Sequence, residues 1–267
     1  MEHALLPITA ICLYLISGYL TGHRLFSKQQ QKLPRVLPIV IGYLALLTHG
    51  LILYQGTILS EGYNLGIFNA FSLVAFVISA ILLISALTKP VENLGIIIFP
   101  ISALTIILLI RFPGIHLFSE GANWGLKIHV LISILAYSLL TLASVQAILL
   151  AILDKQLHER KTGTFVRAMP PLQTMETLLF EMIGVGFALL TAALFSGFYY
   201  LEDMFMQHVA HKTVLSILSW IFFAVLLWGR IKFGWRGRKA IRWTLGGFVT
   251  LMLAYFGSKA VLEILLK

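Results

Sequence analysis

The sequence has a single cysteine, Cys12, and only 12% charged residues among 267. One cysteine excludes an intramolecular disulfide, a cysteine-based zinc cluster and any CxxC or CxxCH motif. Charge at about half the usual fraction, beside 59% hydrophobic residues, excludes an ordinary soluble domain. Acidic side chains are scarce, eleven against twenty basic, which leaves a net charge of +9. No GxSxG elbow, P-loop or GxGxxG strand-helix pattern occurs, so no catalytic role is assigned. Low-complexity segments and internal repeats are also missing, so the inverted halves common in transporters are not evident.

What the sequence does have is long apolar runs. Eight are long enough to cross a bilayer as helices, near 4–22, 37–57, 66–88, 93–111, 126–153, 177–200, 212–230 and 241–265. Barrel strands would alternate, and Val74 to Leu87 does not. Backbone polar groups must be satisfied inside lipid, so the predicted fold class is all-α, a polytopic transmembrane helical bundle. Cys12 is expected to be buried in the first helix, which leaves Cys–His catalysis without support.

The basic residues divide by side. Arg24, Lys28, Lys32, Arg35, Lys89, Lys155, Arg160, Lys161 and Arg167 lie between spans on one side. Arg230, Lys232, Arg236, Arg238, Lys239 and Arg242 join them around 231–240. Arg111, Lys127, Lys212, Lys259 and Lys267 lie opposite. The positive-inside rule therefore predicts cytoplasmic basic loops and both termini outside, so a reporter fused after Lys267 should read as external. Lipid headgroups and topology account for the excess charge without a nucleic-acid partner, and the basic loops leave room for a cytoplasmic one. Met1-Glu2-His3 lacks a basic n-region, so the first span is expected to remain uncleaved.

No soluble domain fits between the spans, and residues 1–267 read as a single integral membrane domain. The longest connection, about 154–176, ends in Pro170-Pro171, which should separate two helices. Outer connections near 58–65, 112–125 and 201–211 read as short loops, with Pro113-Gly114 and Glu120-Gly121 as turns. Ala193 and Gly197, four residues apart, allow close helix contact.

Polar side chains at membrane depth are the first candidates for function. His49 lies inside the second span, Gln146 inside the fifth, Glu181 near the inner end of the sixth and Lys259 in the outer part of the eighth. For Lys259 the plain reading is a snorkelling side chain, and for Glu181 it is a pair with Lys155 or Arg167. For His49 it is a neutral imidazole hydrogen-bonded to a neighbouring helix. Most histidines fall on the outer side: His3, His116, His129, His208 and His211, with His49 in the outer half of its span. His129 opens the fifth span and His211 the seventh, at one depth. Two imidazoles so placed can ligate one haem iron axially, with Lys127, Lys212 and Arg111 near enough to meet propionates. Two other readings stay open. Interfacial histidines beside snorkelling lysines are common, and His208 with His211 and the upstream Glu202 and Asp203 has spacing for zinc or copper.

Two stretches carry a family resemblance. Lys127-Ile-His-Val-Leu-Ile-Ser-Ile-Leu-Ala-Tyr137 is similar to the HVxxxxxxY helix start of the cytochrome c assembly (CcsA-type) membrane proteins. Ile183-Gly-Val-Gly-Phe-Ala-Leu-Leu-Thr-Ala-Ala-Leu-Phe-Ser-Gly197 resembles that family's GIGFxxLTxGxxSG helix. Leu47-Thr-His49 and the segment from Gly62 to Ala75 resemble the YpjD-type branch, to which a HemX-type branch is close. The resemblance covers about 45–265. It implies a bacterial inner-membrane protein that binds or handles haem, with His129 the one histidine of the family's haem region that carries over by position. The family's Trp-rich WGxxWxWDPKE loop is absent: residues 198–212 contain no tryptophan, and His211-Lys212 stands where Pro-Lys would be. Two later family histidines are also missing.

The resemblance therefore implies a haem-handling protein without the cytochrome c ligase loop, acting beside haem-protein assembly factors. Two rival readings remain: a scaffold or regulator without haem, and a small-molecule or ion carrier using His49 and Gln146.

Overall fold

The computed structural model describes residues 2–26, 34–59, 62–64, 66–112, 117–118, 124–160, 163–200 and 210–257. Its framework is helical. In chain order the helices are α1 (Glu2–Phe26), α2 (Val36–Thr57), α3 (Ile67–Ala86), α4 (Gly95–Arg111), α5 (Trp124–His158), α6 (Thr164–Ala168), α7 (Leu172–Tyr200), α8 (Ala210–Phe233) and α9 (Gly237–Met252). Among the described residues, seven helices are long and apolar enough to span a membrane, α1 to α5, α7 and α8. The protein is a multi-pass membrane helical bundle. The eighth predicted span, 241–265, begins within α9, which passes into a π-turn at Leu253–Gly257. Its remainder, with Lys259, lies outside the described residues.

Two details differ from the sequence reading. The 154–176 connection is largely helical. Polar residues of good helix propensity carry α5 past the apolar run to His158, and α6 forms a single turn before Pro170-Pro171 admits α7 at Leu172. Across the expected outer loops runs a small antiparallel sheet, β1 (Ile58–Leu59), β2 (Gly62–Asn64) and β3 (Leu117–Phe118), with Ile58 opposite Tyr63 and Tyr63 opposite Phe118. Pairing satisfies backbone groups that would otherwise enter the lipid interface unbonded. The predicted turns at Pro113-Gly114 and Glu120-Gly121 lie outside the described residues.

The described chain forms two compact units, residues 1–120 with 156–170, and residues 121–155 with 171–267. In the first, α1 packs on α2 and α4, and α3 packs on α2 and α4. Tyr14, Leu82, Leu83, Leu94 and Ile106 are fully buried between them. Large apolar side chains such as Leu15, Leu44, Leu47, Leu51, Leu104 and Ile107 point outward, as lipid rather than water requires. Cys12, expected to be buried, is instead on an exposed face of α1, where an apolar thiol suits lipid.

Glu92 ties the inner ends of this unit together. Arg35 Nη2 donates to the carbonyls of Ala86 and Lys89 at 2.8 and 2.9 Å, and to Glu92 at 3.1 Å. Arg35 Nε lies 3.0 Å from the same carboxylate and Arg24 Nη1 3.5 Å. One acid thus joins the end of α1, the start of α2 and the α3–α4 turn. Both arginines are part-exposed, which screens the pairs. Replacing Glu92 with alanine is expected to destabilise the unit by about 1–2 kcal/mol, below the range for a fully buried pair. Thermal unfolding in detergent checks this, and an unchanged midpoint would show the clamp to be idle.

Candidate functional site

The second unit positions His129. Helices α5 and α7 run antiparallel and approach closely at two glycines. A Cβ on Gly125 would lie 2.3 Å from the Tyr200 ring, and one on Gly186 2.7 Å from Leu140 Cδ2. Glycine at these points makes room for the Tyr200 ring and the Leu140 side chain. Further in, Gln146 Nε2 donates to the Met175 carbonyl at 3.1 Å, so Gln146 serves the same seam. One turn inward from the Gly125–Tyr200 contact, His129 Nδ1 lies 3.0 Å from Ser196 Oγ.

The proton order at that contact follows from the next bond. Ser196 Oγ donates to the Ala193 carbonyl at 3.0 Å, so its one proton is used. With its proton placed there it accepts from Nδ1–H, and the imidazole would carry its lone pair on Nε2. This is the arrangement by which a carbonyl or hydroxyl behind a histidine fixes the tautomer of a metal ligand. Ser196 was legible in the sequence only as a small residue in the SG ending of the motif.

The other motif positions have their own work. Thr191 Oγ1 accepts from Trp220 Nε1 at 2.8 Å, and Phe187 stacks on that indole at 5.4 Å, which seats α8 on α7. Ser219 Oγ donates to the Gly247 carbonyl at 2.8 Å, which joins α8 to α9. The helix from Ile183 to Gly197 is thus the spine of the unit.

His211 lies in the first turn of α8, but its side chain is outside the described residues, as are His208, Glu202 and Asp203. Lys212 is half-buried in the same turn. Lys127 lies two residues before His129, its Nζ 5.4 Å from the centre of the Trp124 ring. Arg111 ends α4 in the other unit. Among the described residues no three histidine, cysteine or acidic side chains gather as a metal set.

His49 belongs to the first unit and is fully buried. Its Nδ1 lies 3.1 Å from Tyr14 Oη on α1, and its Nε2 2.9 Å from Ser72 Oγ on α3. The rings of Tyr14 and Phe76 meet it edge-on at 5.7 and 5.5 Å. Both nitrogens are engaged, so in this conformation the ring joins three helices.

Sequence reasoning missed Glu176. Its carboxylate is nearly buried, accepts from Arg236 Nε at 2.9 Å and from the Gly237 backbone N–H at 2.8 Å, and so holds the start of α9. Glu181, which the sequence singled out, is exposed.

A family model described as "Cytochrome C assembly protein" matches residues 37–266. The chain belongs to the cytochrome c assembly protein family. The inner membrane protein YpjD of Escherichia coli (strain K12) is 33% identical over 234 residues, covering 86% of this chain and 88% of that protein. Cytochrome c biogenesis protein CcsA of Chlamydomonas reinhardtii is 29% identical over 144 residues, 53% of this chain and 39% of that one. CcsA of Guillardia theta is 29% identical over 153 residues, 51% of this chain and 50% of that one. No solved structure matches. With its seven apolar helices, this cytochrome c assembly family member is a multi-pass inner-membrane protein.

Proposed function

We propose that the protein binds haem at the ends of α5 and α8 and holds or passes it during assembly of haem proteins. The observation that carries this reading is the bonding of His129. Bonded to Ser196 with the Ser196 proton on Ala193, Nδ1 would be the donor and Nε2 would be left to a metal as a neutral ligand. His211 is the proposed second axial ligand, because it enters the first turn of the helix that α7 seats. Lys127 and Lys212 would meet the propionates. Haem would supply the iron, and the His129 and His211 imidazoles would hold it.

His49 enters only in second place. To reach iron it would have to leave Tyr14 or Ser72, and its present bonds favour a packing role. The family match and the CcsA relatives' printed role in cytochrome c biogenesis support haem as the cofactor class. With no Trp-rich loop in 198–212, the reading stops short of joining haem to an apocytochrome.

Titration of the purified protein with haem tests this, followed by absorbance and by tryptophan quenching. Saturable uptake of one haem per chain is expected, and linear partitioning equal to that of empty micelles would refute it. Ser196→Ala should weaken binding about tenfold, the lower end for loss of a bond behind a ligating histidine. Ser196→Thr keeps the hydroxyl and should restore most of it. If alanine and threonine behave alike, Ser196 only packs.

A further inference from the structure

The turn between α8 and α9 is a built surface. Gly234 and Gly237 sit at positive φ, 62° and 53°, and let the chain reverse within three residues. Its backbone is closed by hydrogen bonds from Gly234 N–H to the Arg230 carbonyl and from Trp235 N–H to the Gly229 carbonyl. Arg230 donates to the Trp235 carbonyl at 3.2 Å and lies 4.5 Å over the Phe180 ring. Glu176 pins Arg236 and Gly237, and Asp154 pairs with Arg238 at 3.2 Å. These contacts engage both acids and tie the turn to α5 and α7.

The turn and the helix ends that flank it carry two kinds of side chain. Aromatic rings run in sequence from Phe222 through Trp243 and Trp235 to Phe233, with centroids 5.4, 5.7 and 6.4 Å apart. Phe233, Trp228 and Ile231 are exposed. Lys232 Nζ lies 5.5 Å over Trp228, and Lys239 Nζ 5.8 Å over Trp235. Arg242 is exposed one turn further along α9 from Lys239 and Arg238. Among the described residues no carboxylate pairs with Lys232, Lys239 or Arg242.

We propose that this turn binds the headgroup phosphate of an anionic phospholipid through Lys232, Lys239 and Arg242. The exposed aromatic and aliphatic side chains would lie along its glycerol and upper acyl chains. Charge complementarity selects this occupant. Three uncompensated cations stand at the end of an apolar span, where a lipid headgroup lies and where each basic residue adds about fivefold to anionic-lipid affinity. Exposed tryptophan and phenylalanine at the same level are the usual companions of an interfacial site. This inference does not depend on haem.

Wild-type protein, the triple variant K232Q/K239Q/R242Q and a charge-matched variant K28Q/K32Q/R160Q would be placed in phosphatidylcholine nanodiscs. Each disc would carry a minor fraction of phosphatidylglycerol. Native mass spectrometry then reads the phosphatidylglycerol retained. The site predicts retention by wild type and by the charge-matched variant, and a loss of about tenfold or more in the triple variant, consistent with removal of several basic contacts. Equal loss in both variants, or none in either, overturns the proposal. Should the triple variant misfold, wild type decides alone. Brominated phosphatidylglycerol must quench tryptophan more than brominated phosphatidylcholine at equal fraction, because three of the five tryptophans flank the turn. Equal quenching rejects the site.

Discussion

Replacing His129 with alanine is expected to abolish specific haem binding while the bundle stays folded. The side chain is half-buried at the start of α5, and its Nδ1 is hydrogen-bonded to Ser196 Oγ. Loss of that one neutral bond costs stability about 1 kcal/mol. Loss of an axial ligand is a larger matter for the cofactor, with affinity expected to fall at least a hundredfold, or about 2.7 kcal/mol. The comparison that matters is between helicity, which should be unchanged, and haem absorbance, which should vanish. A variant that takes up haem with the wild-type spectrum would remove His129 from the site.

His49→Ala should do the reverse. The alanine leaves a cavity and deprives both Tyr14 Oη and Ser72 Oγ of their buried partner. Interhelical hydrogen bonds in membrane proteins average well under 1 kcal/mol, but two are lost here together with the packing of the ring. A destabilisation of about 2–3 kcal/mol is expected. Unfolding in increasing sodium dodecyl sulfate measures it. Haem bound by the surviving folded fraction should keep the wild-type spectrum. If stability holds and the spectrum changes, His49 is a ligand and the packing role is wrong.

The contrast between these histidines shows where sequence was informative. Seven spans were legible because a run of about twenty apolar residues has few other uses. His129 stood out in the sequence by its place in a motif. The partner that gives it a tautomer was not, since Ser196 in an apolar helix reads as a packing residue. His49 was visible as a polar group at depth, but its partners lie 35 and 23 residues away, and no local pattern connects them.

Phase explains the choice between two acids. Glu176 and Glu181 are five residues apart, which at about 100° per residue turns them to well-separated faces of α7. Glu176 meets the α8–α9 turn and Glu181 does not stay buried, and hydrophobic periodicity was too weak along this uniformly apolar helix to tell them apart. The small sheet escaped for a simpler reason. Strands of two and three residues are shorter than any alternation that could announce them.

Whether the chain carries haem on histidine is read from the absorbance spectrum of the detergent-purified protein, oxidised and then reduced with dithionite. Bis-imidazole ligation predicts a low-spin Soret band that sharpens on reduction, with resolved α and β bands that His129→Ala removes and His211→Ala converts to high spin. A spectrum with no haem absorbance, either as purified or after incubation with haem and removal of the excess, would rule out haem binding and leave the protein a membrane scaffold.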